Sequence, residues 1–208
     1  MMSFDQILRE RRSIRRYTPE TPDRLLVNQM LGSACLAPSP SHSEPVRFLL
    51  IDSVSIKDAL KKNMALGKEG FLAQYESLGA SKKIRNLIRA YYRFSEFMFS
   101  APYLFALGTK NVMSFQDRLQ DAGLTVDALK KNKDLDLATG LSLSAFILKG
   151  TELGIATCIL TAPLVYIRDV SDILGTDLRI TCFVTAGFAD EKASTLQRIT
   201  AEEICQTV

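Results

Sequence analysis

LDLATGLSLSAFILKGTELGIATC, residues 135–158, is the stretch on which the architecture turns. Apolar residues fall on nearly every side of a helix running from Leu135 to Leu153, and Gly154 stands where such a helix stops. A helix that is apolar all round belongs in a core or an interface. A glycine just past the last turn supplies the left-handed residue that ends it. Ile155 to Cys158 then leave the helix as an extended segment. Two readings stand for that segment: a core strand, or a strand whose bare backbone at Gly154 lies near a ligand. It is not a dinucleotide loop, because the Gly-x-Gly-x-x-Gly spacing is missing.

The flanking sequence alternates helices and a few strands. Phe4, Ile7 and Leu8 mark a first helix that stops near Arg12. A second opens at Thr21 or Pro22, since proline suits a first helical turn, and Leu25, Leu26, Met30, Leu31 and Ala34 form its buried face. Residues 37–45 hold three prolines and three serines and form a loop. Val46 to Ile51 reads as a strand, Ser55 to Leu66 as a helix, and Gly67 to Gly79 as less regular chain. From Ser81 to Phe99 a strong helix carries Ile84, Leu87, Ile88, Tyr91 and Tyr92 on one side. Lys82, Lys83, Arg85, Arg89 and Arg93 lie mostly on the other. Tyr103 to Leu107 and Ile180 to Ala186 are strands, Gln116 to Lys133 is helical in part, and the tail from Lys192 is polar. Several long helices with few strands predict an α+β or three-layer domain in which helices cover a small sheet. One domain over residues 1–208 suits the length.

Composition removes several functional classes. With 47% hydrophobic and 24% charged residues the chain is an ordinary globular one, and a net charge of +3 is far from that of a polybasic nucleic-acid protein. Its basic residues are not interleaved with aromatics along a strand face, so no nucleic-acid partner is expected. No apolar run reaches the roughly 18 residues of a membrane span, and no membrane partner is expected. No signal peptide opens the chain, so a cytoplasmic setting with four free and mostly buried thiols is expected. A single histidine and no Cys-x-x-Cys pair leave no metal site. A serine-hydrolase triad could only be built on His42, and neither a Gly-x-Ser-x-Gly elbow nor a phosphate-binding P-loop is present. The pairs Asp134/Asp136 and Glu202/Glu203 sit in polar surroundings and read as exposed. Any enzyme built on this chain therefore relies on a borrowed cofactor.

Two further features could hold one. Arg11-Arg12-Ser13-Ile14-Arg15-Arg16 places four arginines and a hydroxyl at a helix end. In an extended chain Arg11, Ser13 and Arg15 share a face. Such a set is either a solvated basic surface or a phosphate grip. The rigid loop from Ala37 to Pro45 is either a plain connection or a wall against a flat ligand.

Taken in order, these features resemble the nitroreductase family of FMN enzymes. Arg-Arg-Ser-x-Arg stands near the N-terminus, Ala37-Pro38-Ser39 leads through Pro45 into Val46-Arg47-Phe48, and the long apolar helix runs into Leu153-Gly154-Ile155-Ala156-Thr157-Cys158. A strand ends in Ala186-Gly187-Phe188, and Arg198 precedes Glu202-Glu203-Ile204. Within the family, the loop version Pro38-x-Pro40-x-His42-x-x-Pro45-Val46-Arg47-Phe48 is similar to the nitroreductase-like C-terminal domain of the bifunctional deazaflavin-coenzyme gamma-glutamyl ligase. The resemblance implies an α+β fold with a small central mixed or antiparallel sheet flanked by helices, in an intertwined homodimer with FMN sites between subunits. It also implies that Arg11, Arg12, Ser13 and Arg15 hold FMN, with Arg198 adding to the phosphate grip. Pro38 and Ser39 would meet the ring from the other subunit with His42 nearby, and Thr157, Cys158, Ile159 and Leu160 would run along one face. His42, Glu44 and Val46 stand where the family often has Asn, Gln and Trp, and Ser144-Ala145 where it often has Gln-Asn. Leu160-Thr161 replaces a common glycine pair.

The activity so implied is ping-pong hydride transfer from NAD(P)H to a nitroaromatic, quinone or similar unsaturated acceptor. Alternatives are a reductase acting on a deazaflavin coenzyme or precursor, and a flavin-binding protein without turnover. No side chain is assigned as a catalytic acid. His42, the one side chain near the ring that titrates near neutrality, is open to proton donation, ring packing or a flavin hydrogen bond. The groups above the ring come from Met64 to Phe99.

Overall fold

The computed structural model describes residues 2–79, 81–113, 115–125, 133–193, 198–205 and 207. Helix α1 spans Phe4–Glu10 and opens with a capping box, in which Ser3 and Gln6 satisfy each other's backbone N–H groups. Helix α2 spans Arg24–Cys35. It begins later than Thr21 or Pro22 because Asp23 caps it, accepting from Leu25 N at 2.8 Å. Leu25, expected to be buried, is exposed, and Val27 takes its place in the core.

Strand β1 is Val46–Leu50, β2 is Tyr103–Thr109, β3 is Ala156–Leu160 and β4 is Arg179–Gly187. They lie in the order β1-β2-β4-β3, every neighbouring pair antiparallel. Side chains alternate across the sheet. Leu104, Ala106 and Phe183 enter one core with Leu60, Met64, Tyr92, Cys158, Leu160 and Tyr166. Phe105, Leu107, Cys182, Val184 and Ala186 enter a second with Val27, Met30, Leu143 and Phe146. Because both faces are covered, β2 and β4 read as nearly continuous apolar runs.

The first core lies under α3 (Val54–Ser77), α4 (Lys82–Glu96), α7 (Pro163–Tyr166) and α8 (Val170–Leu174). The second lies under α2 and α6 (Lys133–Glu152). Helix α3 runs through Gly67 and Gly70, where a less regular chain was expected. At Gly67 the helix crosses α7 so closely that a Cβ would overlap the carbonyl oxygen of Tyr166. The glycine is there for contact, not for a break. Helix α5 (Phe115–Asp121) covers part of the segment expected to be helical; residues 126–132 lie outside the described ones. In the tail, α9 (Ala201–Ile204) is capped by Thr200 and Glu203.

Helix α6 buries Leu135, Ala138, Leu143 and Phe146 on one face and exposes Leu137 and Leu141 on another. It ends as expected. Gly154 takes φ +74°, and Ile155 N donates to Gly150 O at 2.7 Å. The four thiols are free, but Cys35 and Cys205 are exposed, so only half are buried and not most of them. Among the described residues no helix is long and apolar enough to cross a membrane.

Candidate functional site

After α1 the chain becomes an extended arm along the open edge of β3. Ser13 bridges Thr157 in parallel, and Ile14 N donates to Thr157 O at 3.0 Å. Ile14 is buried, so Ser13 and Arg15 on either side of it are turned outward. Ser13 and Arg15 therefore share a side as alternation predicts, but Arg16, expected on the side of Ile14, is exposed as well. Arg11 is the C-cap of α1. The Arg12 guanidinium is turned back onto the carbonyls of Arg9 and Arg11, where it meets the negative end of the helix.

Arg15 opens onto a groove of about 440 Å³, walled by Cys158 to Ala162 and by Tyr91, Phe94 and Ser95 of α4. That volume falls within the roughly 300–1,000 Å³ typical of ligand pockets. Among the described residues the Arg15 guanidinium has no hydrogen-bond or ion-pair partner. Since the Thr157 carbonyl faces the arm, Ile159, two residues on, presents its backbone N–H and C=O to the same free edge. The groove thus offers an unpaired cation, an edge of backbone donors and acceptors, and two aromatic rings. Burial, against a lowering pull from Arg15, pushes the Cys158 thiol above its ordinary pKa and so favours the neutral thiol.

Below the groove, half-buried Tyr17 ties the arm to the sheet. Its phenol donates to Ile14 O at 2.8 Å and shares a 2.7 Å hydrogen bond with the Thr185 hydroxyl. That hydroxyl lies 3.4 Å from the Cys158 carbonyl. Burial raises the Tyr17 pKa well beyond its ordinary value. From the solvent side, one oxygen of Glu191 accepts from Arg15 N at 2.6 Å and from Arg16 N at 3.2 Å.

Pro38 and Ser39 line a different groove, of about 260 Å³, with Ala34, Cys35, Glu44, Arg47, Phe48, Ala138 and Ser142 among its walls. The loop beside it carries three non-glycine residues at positive φ: Ser41 (49°), His42 (54°) and Glu44 (43°). Such backbone is strained and persists only where its surroundings dictate it. Here Ser39 Oγ accepts from Glu44 N at 3.1 Å, and Ser43 Oγ donates to Pro40 O at 2.7 Å. His42 is exposed and lines neither groove. The two grooves lie over opposite faces of the sheet, one with the Cys158 and Leu160 core, the other with the Ala34 and Phe146 core. One chain therefore brings Arg15 together with Cys158, Ile159 and Leu160, but not with Pro38 and Ser39. Thr157 is buried behind the arm, and Arg198 is exposed without a hydrogen bond or ion pair among the described residues.

Sequence reasoning missed Tyr17 and Glu191, and it placed Tyr91 on the same side as Tyr92 without separating them. The structure turns Ile88 and Tyr92 to the core and Ile84, Leu87, Tyr91 and Phe94 outward. The signal was available: Phe94 extends the apolar arc of α4 beyond what one contact can bury.

A small antiparallel sheet with a cationic arm on its open edge and aromatic residues facing that edge defines a class of proteins. The chain belongs to the nitroreductase family, whose model matches residues 8–188. A BluB-like flavoprotein from Clostridium difficile 630 shares the fold with a TM-score of 0.88 at 19% identity, all of both chains covered. The FMN and NADPH-dependent nitroreductase NfnB from Sphigopyxis sp. strain HMH gives a TM-score of 0.73 at 20% identity, covering 100% of this chain and 99% of that one. The FMN-dependent NfnB from Mycobacterium smegmatis, in complex with NADPH, gives 0.68 at 17%, covering 98% and 97%. No curated protein matches the chain. At these identities the structural neighbours speak to the fold.

Proposed function

We propose that this chain is an FMN-dependent oxidoreductase that passes hydride from NADH or NADPH to a nitroaromatic, quinone or similar unsaturated acceptor. The observation that carries this reading is the unpaired Arg15 guanidinium at the mouth of a groove formed by the β3 edge, Tyr91 and Phe94. When bound there, FMN supplies a two-electron hydride carrier that the side chains of this protein lack. Arg11, Ser13 and Arg15 fit an anionic, hydroxyl-rich ligand. The Ile159 backbone suits the polar edge of a flat ring, and Arg15 sets positive charge where negative charge would develop on reduction. Tyr91 and Phe94 form an apolar wall against which a planar acceptor can stack.

The site is completed by a second copy of the chain. Pro38 and Ser39 lie across the sheet from Arg15, so a ring held by both sets needs two subunits. Phe4 and Leu8 of α1, and Leu137 and Leu141 of α6, stand exposed at four-residue spacing on two helices that pack together. Exposed apolar pairs on two adjoining helices fit an interface with a second copy.

The test is to load the purified protein with FMN, record its visible spectrum, and follow NADH and NADPH oxidation with a quinone or nitroaromatic acceptor. Bound flavin with acceptor-dependent oxidation supports the proposal. Bound flavin without turnover favours the flavin-binding alternative, and a protein that cannot be loaded sinks both. Sedimentation that shows a flavin-loaded monomer refutes the shared site.

A further inference from the structure

We infer that Tyr17 and Glu191 are the positioning residues of the flavin site, acting through Arg15; this deepens the function proposed above and rests on it. The two side chains grip the same short piece of backbone from opposite sides. Inside, the Tyr17 phenol takes the Ile14 carbonyl at 2.8 Å and the Thr185 hydroxyl at 2.7 Å. Thr185 is fully buried in β4, so the arm is anchored to the middle of the sheet and not only to its edge. Outside, Glu191 Oε1 accepts from two consecutive amides, Arg15 N and Arg16 N, and its other oxygen stands 3.8 Å from Arg16 Nε. Successive N–H groups converging on one oxygen form an anion-binding concavity. The chain fills it with a carboxylate of its own.

Among the described residues the Arg15 guanidinium has no hydrogen-bond or ion-pair partner that would orient it. Its direction is inherited from its backbone, which is fixed at the preceding carbonyl by Tyr17 and at its own amide by Glu191. The Tyr17 ring is locked in turn. A Cβ on Gly187 would stand 2.8 Å from its Cδ1, and the ring lies 6.4 Å from that of Phe97. Glu191 also belongs to the segment leading from β4 towards Arg198. A carboxylate so close to an anion site is unfavourable to phosphate by charge alone, so its presence makes sense as a brace.

The experiment compares wild type, Tyr17→Phe, Glu191→Ala and a control, Tyr103→Phe, whose phenol makes a similar 2.9 Å bond to the Pro22 carbonyl away from the groove. Tyr17→Phe keeps the ring packing, so the variant folds. FMN dissociation constants come from flavin fluorescence, midpoint potentials from redox titration, and Tm from circular dichroism. Both positioning variants are expected to weaken FMN roughly tenfold, the equivalent of about 1.4 kcal/mol, and Tyr17→Phe, which changes no charge, to lower the midpoint potential as the Arg15 charge drifts. The control is expected to lose Tm like Tyr17→Phe while leaving affinity and potential unchanged. Tyr17→Phe that matches the control in all three readouts overturns the inference, as does Glu191→Ala that binds FMN more tightly, which would make the carboxylate a competitor. A wild type that takes up no FMN overturns the functional reading instead.

Discussion

Gly67→Ala and Gly70→Ala are chemically identical changes three residues apart on α3, and the structure assigns them opposite signs. A methyl at Gly67 would overlap the Tyr166 carbonyl oxygen and stand 2.7 Å from the carbonyl carbon and 3.0 Å from the Cα. All three are backbone atoms, so no rotamer change can clear them. At Gly70 nothing lies within 4 Å. Replacing a helical glycine by alanine gains roughly 0.5–1 kcal/mol of backbone entropy and propensity. Gly70→Ala should realise that gain. At Gly67 the same gain is set against overpacking that costs about 1–3 kcal/mol or more. The rigid neighbour puts the cost at the upper end, for a net loss of about 2 kcal/mol. For a chain of this size 1 kcal/mol moves Tm by roughly 2–4 °C. The expected outcome is a Tm about 4–8 °C below wild type for Gly67→Ala and a small rise for Gly70→Ala, read by circular dichroism, with urea midpoints shifting in the same order. The consequence reaches the groove, because α7 follows β3 directly and Tyr166 donates to Ile88 O of α4 at 2.8 Å. FMN affinity should therefore fall in Gly67→Ala and not in Gly70→Ala. Equal stability in the two variants would refute the close crossing of α3 and α7.

Arg15→Ala removes the unpaired cation and should weaken FMN by about 1.5–3 kcal/mol, the range for a hydrogen bond to a charged group, measured by flavin fluorescence with Tm unchanged. Phe146→Ala empties the centre of the second core and should cost about 3–5 kcal/mol in urea unfolding; Phe146 is fully buried against Phe48 and Phe105. Ser41→Gly relieves one left-handed residue and should stabilise by about 1 kcal/mol, while loosening the loop beside Pro38 and Ser39. Burial holds the Cys182 thiol at a pKa of about 11 against 9.0. Its neutral form is favoured in the fold, so this stability is whole below pH 9 and is lost as pH rises towards 11. The loss is about 3 kcal/mol at most, and Cys182→Ala should flatten stability over that window.

The parts legible in sequence were those set by local periodicity and by ordered motifs. Helix α6 with its glycine stop, strands β2 and β4, and the outward turn of Ser13 and Arg15 about buried Ile14 all follow from one residue's relation to its near neighbours. What escaped depends on long-range contact. Gly67 looked like a helix breaker because Tyr166, which explains it, is about a hundred residues away in sequence. Tyr17 reaches Thr185, and Glu191 reaches Arg15, only because β4 returns beside the arm, and no local spacing announces the Arg15–Glu191 pairing over 176 residues. The two faces of α4 looked like one because a wide apolar arc does not say which half the sheet will cover. Helix α2 was misread at its start because Pro22 and Asp23 both suit a helix entrance and only the cap geometry chooses.

The placement of the two grooves on opposite faces of the sheet has a genetic consequence. If each site draws Arg15 from one chain and Pro38 and Ser39 from the other, then damage to the arm and damage to the loop are separable lesions. Two inactive proteins, one altered at Arg15 and one in the loop, would complement each other when allowed to exchange subunits. In the mixed pair both lesions fall on one site and the other is intact. Activity regained on mixing, up to half that of wild type per mixed pair, would be the signature of a site shared between chains.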